Sequence, residues 1–274
     1  MGPSLADRPT LPARLDVAVI GAGPALRAAA EALSTHATGR EWAVITAEPD
    51  VGADIPSDHL IPLSVTNAFA MATHVEILVG QESFPAKVVI VATALPERAI
   101  ASERVFRGRG VSYCAQCDGS LARHKRVAAF VATPEAVHEL AHLDGSAHVD
   151  VIGPADVLAA VPAARDRRTH TGRPIAVEGQ AAVEGVRLDS GAEIAVDQVF
   201  LLTPRVPTPV LVPGVSADDD DRVRVDGFGR TNLPRIFAIG PATVLDRTAA
   251  APPGDPAEAV ALSAIDLVAA LPAP

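Results

Sequence analysis

The run Val17-Ala-Val-Ile20, followed at once by Gly21-Ala-Gly23-Pro-Ala-Leu26, constrains the fold more than any other part of the chain. Four apolar residues of buried-strand type end on two glycines, and the Ala-rich stretch Arg27–Leu33 behind them favours a helix. A second apolar run, Trp42–Thr46, ends near Glu48. Strand, tight turn, helix and strand make a βαβ unit, whose parallel strands imply a doubly wound sheet. Gly21 and Gly23 let backbone N–H groups approach a pyrophosphate at the helix N-terminus, and Glu48 stands where a carboxylate would hold a ribose hydroxyl. The third position of the turn, where close packing asks for Gly or Ala, is Leu26, which adds bulk there. The turn reads either as a dinucleotide site or as a purely structural connection.

The pattern restarts further on. His74–Val79 and Lys87–Thr93 read as strands, Arg126–Ala132 as another, Pro134–Leu143 as a helix and Val149–Ile152 as the strand after it. Ile175–Val177, Ala182–Leu188, Glu193–Val196 and Gln198–Leu202 form a β-rich stretch, and Ile236–Ile239 is a last buried strand. Asp255-Pro-Ala-Glu258 carries a helix-capping signature for a helix through Leu271. The expected class is α/β, with two Rossmann-like domains in 274 residues.

Composition narrows the function classes. No apolar run reaches the roughly 18–20 residues of a membrane helix. Met1–Asp16 has no signal-peptide core and reads as a disordered leader on a cytoplasmic protein. A net charge of −10 argues against nucleic acid as a partner. Asp218–Asp221 reads as a solvated turn, with a metal site as the lesser alternative. His124, His138 and His142 read as surface residues, with a catalytic base as the other reading.

The chain has two cysteines, three positions apart, in Gly110-Val-Ser-Tyr-Cys114-Ala-Gln-Cys117-Asp118-Gly119. Two thiols cannot complete a four-cysteine zinc site. Their spacing lets them close a disulfide and lets one attack while the other resolves. Asp118 is placed to shuttle a proton for the second thiol. Two inert buried thiols are the alternative.

The segment Phe106–Gly119 resembles the active-site segment of low-molecular-weight thioredoxin reductases. Gly21-Ala-Gly23-Pro24-Ala25 resembles their flavin-binding turn, and Ile90-Val-Ala-Thr-Ala94 their strand ending in Ala-Thr-Gly, with Ala94 for the last Gly. Gly229–Gly240 resembles the segment that returns to the flavin. The resemblance implies a flavin domain split in sequence, residues 1–112 and 226–274, with residues 113–225 inserted and carrying the cysteines. It implies FAD as cofactor, a homodimer, and a small-molecule or protein dithiol as substrate. Cys117 would face the flavin, Cys114 would exchange with substrate, and Asp118 would act as acid/base.

Departures from the family pattern sharpen this reading. Where a second glycine motif belongs, the chain has Val131-Ala-Thr-Pro-Glu-Ala136; where paired arginines hold the NADPH 2′-phosphate, it has Gly153-Pro154. NADPH binding is not expected. The family's Gly-Asp near the end is Gly240-Pro241, and its Arg-Gln is Arg247-Thr248. A segment between Glu48 and His74 is shortened relative to the family. The expectation is a flavin-linked dithiol/disulfide oxidoreductase without NADPH, of the dithiol-oxidase kind. The alternative is a cofactor-free descendant serving as scaffold or bare disulfide exchanger.

Overall fold

The buried runs of the sequence become the parallel cores of two sheets. The structure, a computed structural model, describes residues 11–46, 55–80, 82–93, 100–203, 206–246 and 254–271. They fall into two units, the first from 11–93 and 206–271, the second from 100–203. The second is thus inserted in the first.

In the first unit, β1 (Leu15–Gly21), β2 (Trp42–Ile45), β3 (Leu60–Ile61), β4 (Asn67–Ala70), β5 (Val75–Val79) and β6 (Glu82–Ala92) lie in the order β3-β2-β1-β6-β5-β4. Val17 pairs in parallel with Trp42 on one side and Val88 on the other. These central strands are buried on both faces, so they read as continuous apolar runs. β5 alternates buried and half-buried residues and pairs antiparallel with β4 and β6. The sheet is therefore mixed, with an antiparallel edge beyond the expected parallel core.

On one face, α1 (Pro24–His36) buries Leu26, Ala29, Ala30 and Leu33, together with α5 (Pro256–Ala270). The start of α5 is capped as its sequence indicates: the Asp255 carboxylate accepts the N–H of Ala257 at 2.7 Å and of Glu258 at 3.3 Å. β16 (Ile236–Ile239) completes the sheet in parallel with the C-terminal half of β6. On the other face lie Leu211, at the end of α4 (Thr208–Leu211), with Val212, Val215 and the valines of β15 (Val223–Val225). β15 pairs with β17 (Thr243–Leu245).

The second unit holds β7 (Val111–Ser112), β8 (Arg126–Val131), β9 (His148–Gly153), β10 (Arg167–Thr171), β11 (Pro174–Gly179), β12 (Val183–Leu188), β13 (Glu193–Ala195) and β14 (Gln198–Leu202). Five form a parallel sheet, β10-β9-β8-β14-β7; three form an antiparallel sheet, β11-β12-β13. Short helices α2 (Ala115–Asp118) and α3 (Ala155–Leu158) follow β7 and β9.

Two readings change and two become more specific. The units meet the chain elsewhere than at 112 and 225, because Val111 and Ser112 pair with Val199 and Phe200 and Phe106 is buried beside them. Residues 206–225 instead cover the first sheet. The expected leader stops short of Asp16, since Leu15 and Asp16 already belong to β1 and Asp16 pairs with Lys87 at 2.8 Å. The helix read over Pro134–Leu143 is a 3-10 helix, Glu135–Leu143. Val137, Leu140 and Leu143 recur every three residues, so three residues per turn bury them as one ridge. At the acidic run, Asp218 folds back onto Arg222, accepting its N–H at 2.9 Å and its Nε at 2.8 Å, which closes a turn.

Candidate functional site

The cysteine site is built on the first turn of α2. Cys114 is the N-cap residue in extended conformation, and its sulfur accepts the N–H of Cys117 at 3.0 Å. Cys114 and Cys117 are joined by a disulfide, with Cα atoms 5.3 Å apart. Cys117 is exposed and Cys114 half-buried. Gly119 lets this turn lie on the 3-10 helix Glu135–Leu143, because a Cβ there would stand 2.3 Å from the carbonyl oxygen of His142.

Two carboxyl groups flank the pair. Asp118 is held by Ser112, whose hydroxyl donates to Oδ2 at 2.7 Å; the same hydroxyl accepts the N–H of Cys114 at 3.2 Å. Glu139 reaches α2 from the 3-10 helix, and its Oε2 accepts the N–H of Ala115 at 3.1 Å. Burial pushes the Glu139 carboxyl above its ordinary range, against the opposing pull of that hydrogen bond and of His142. Sequence reasoning passed over Ser112 and Glu139. Glu139 did carry a signal: it lies three residues from both Ala136 and His142, on the second ridge of a helix with a period of three. His124, His138 and His142 are exposed.

The second candidate region is the turn after β1. Gly21 has φ +123°, and a Cβ there would lie 2.2 Å from the carbonyl oxygen of Ala92, so the turn passes directly against the end of β6. Gly240, after β16, has φ +118° and packs against Thr93 and Ala25, where a Cβ would stand 2.4 Å from Thr93 O. The ends of β1, β6 and β16 thus meet at the start of α1. There Gly23 is the N-cap with Pro24 behind it, and no side chain caps the helix. A Cβ on Gly23 would meet nothing within 4 Å, so the space before the helix is open to a phosphate group. These residues fit a dinucleotide pyrophosphate. Leu26 does not crowd this turn; it is fully buried in the core beneath α1. Glu48, Ala94, Arg247 and Thr248 lie outside the described residues.

The corresponding turn after β8 has other contents. Val131 is fully buried, and its carbonyl oxygen and side chain lie against Gly153. The N–H of Ala132 donates to Leu202 O at 3.2 Å, and Pro154 follows β9.

The fold is a two-unit α/β arrangement with a disulfide at the start of α2. Residues 163–259 match the family model of pyridine nucleotide-disulphide oxidoreductases. A thioredoxin reductase of Treponema pallidum is 33% identical over 181 residues, 60% of this chain and 59% of that protein. One of Listeria monocytogenes is 32% identical over 180 residues, 59% of this chain and 56% of its own length. The match therefore spans less than two thirds of these relatives. In fold, a ferredoxin-flavin thioredoxin reductase from Clostridium acetobutylicum superposes with a TM-score of 0.75 at 23% identity, over 94% of this chain and 99% of its own. A thioredoxin reductase from Gloeobacter violaceus gives 0.65 at 24% identity, over 95% and 96%. The protein is thioredoxin-reductase-like in sequence and fold. No helix among the described residues is long and apolar enough to cross a membrane.

Proposed function

We propose that the protein is a flavin-linked dithiol/disulfide oxidoreductase that works without NADPH, a dithiol oxidase turning over through Cys114 and Cys117. The observation that carries this reading is the disulfide at the start of α2, with the Ser112–Asp118 hydrogen bond beside it. FAD would be held by Gly21, Gly23, Pro24, Ala25 and Gly240, with Glu48, Ala94, Arg247 and Thr248 completing the set. When bound, it supplies two-electron exchange with the thiol pair.

The substrate is a small-molecule or protein dithiol. A substrate thiol gives its proton to Asp118 and attacks Cys114 Sγ as the thiolate; the Cys114–Cys117 bond breaks, and Cys117 leaves as a thiolate that takes that proton from Asp118. The second substrate thiolate attacks the mixed disulfide, and Cys114 leaves. The substrate loses two electrons and two protons, and dioxygen receives them as hydrogen peroxide. The turn after β8 supports independence from NADPH: a buried Val131 stands in place of a glycine, and Gly153-Pro154 offers no cation for a 2′-phosphate. By resemblance, the enzyme is a cytoplasmic homodimer.

Pro241 favours a second reading, a cofactor-free scaffold or bare disulfide exchanger, because proline offers no carboxylate where the family has Asp. Visible absorbance decides between them. A flavin oxidase should be yellow as purified, bleach with dithiothreitol under nitrogen, and regain colour in air with release of hydrogen peroxide. A colourless protein with a reducible disulfide supports the second reading, and thiols that never link defeat both oxidoreductase forms.

A further inference from the structure

We infer that Glu139 is a positioning residue for the cysteine pair: its carboxylate shares the start of α2 with the Cys114 sulfur and sets how readily that sulfur ionises. The inference rests on the reading that this pair cycles between disulfide and dithiol. Two acceptors meet one helix start. Glu139 Oε2 takes the N–H of Ala115 at 3.1 Å, and Cys114 Sγ takes the N–H of Cys117 at 3.0 Å. While the disulfide is closed, only one acceptor carries charge. Once it opens, a Cys114 thiolate and a Glu139 carboxylate are like charges held on neighbouring N–H groups of one turn.

The surroundings decide which gives way. Burial already favours the protonated form of Glu139, more strongly than the Ala115 hydrogen bond and His142 favour its charge. On its own helix, Glu139 has His142 on its ridge and the exposed His138 beside it. From α2 come the cysteines and Asp118, whose carboxylate is engaged by Ser112. The turn Gly119–Ala122 brings no titratable side chain, and on β8 Arg126 is exposed and paired with Asp197 at 2.7 Å. Ionisation of Cys114 therefore drives a proton onto Glu139, and an ionised Glu139 keeps Cys114 a thiol. The opening of the disulfide is coupled to proton uptake one helix away.

The test measures the alkylation rate of Cys114 against pH, by peptide mass spectrometry, on protein reduced with dithiothreitol and then freed of it. In Glu139→Gln the midpoint should fall by about one pH unit, giving about tenfold more thiolate below it. Glu139→Asp retains the charge and should stay near the parent. The parent's own profile should show two steps, because coupled groups titrate as a pair. An unchanged midpoint in the Gln variant overturns the inference, as do equal shifts in Gln and Asp or a single-step parent profile. The assay needs neither flavin nor turnover. Absence of dithiol oxidation with the shift intact would count against the proposed function alone.

Discussion

After β1 the chain turns through Gly21 and Gly23 onto a thirteen-residue helix whose first turn is open; after β8 it turns through Val131 and Pro134 onto a nine-residue 3-10 helix. Both connections serve parallel sheets of similar plan, yet they present different chemistry. The first leaves space beside Gly23, which a phosphate requires. At the second, Val131 is buried in the core and the helix serves the disulfide, through Glu139 and the seat it gives to Gly119. The same strand-turn-helix plan thus positions different groups in the two units.

The comparison can be broken most severely at Leu26. If this residue merely spoiled the first turn, Leu26→Gly would be harmless. Because Leu26 is fully buried, the change should cost about 3–5 kcal/mol from the cavity and the glycine in the helix, read as a large fall in thermal midpoint. Gly21→Ala gives the first turn the Cβ that Val131 has in the second. With positive φ and a clash on Ala92 O, it should cost about 2–3 kcal/mol and empty the protein of any flavin, followed by unfolding and visible absorbance. At the second turn, NADPH titration should give a dissociation constant no tighter than about millimolar, worth about −4 kcal/mol. Micromolar binding there would erase the contrast between the two turns. The smallest effect concerns pH. Protonation of half-buried Glu139 stabilises the fold fully below the ordinary Glu range, and that contribution is lost as pH rises through its raised pKa. Thermal midpoints of Glu139→Gln measured from about pH 4 to pH 8 should be flatter than the parent's.

What was legible in the sequence was local. Val17–Ile20, the glycine turn and the Asp255 cap each state their structure within a few residues, and the C-x-x-C spacing states a disulfide. What was not legible depends on partners distant in sequence. Val111–Ser112 is too short to read as a strand until β14 pairs with it, so the unit boundary was placed too late. Leu26 occupies a turn position in sequence and a core position in space. Glu139 gains its meaning from Ala115, on another helix. The 3-10 winding was visible as a period of three, but a run containing Ala, Glu and Leu also suits an α-helix.

The first unit is interrupted, and this sets an order of events during synthesis. β1, β2, β6 and α1 leave the ribosome early, but β16 and α5, which cover their apolar surface, come last. At roughly 5–20 residues per second the early half waits on the order of ten to thirty seconds, with the faces of Val17, Val19 and Leu33 awaiting their cover. The inserted unit is contiguous and can fold during that interval. The nascent N-terminal half is therefore the part of this protein with the longest need of a chaperone, and the closing of α5 onto α1 is the step that ends it.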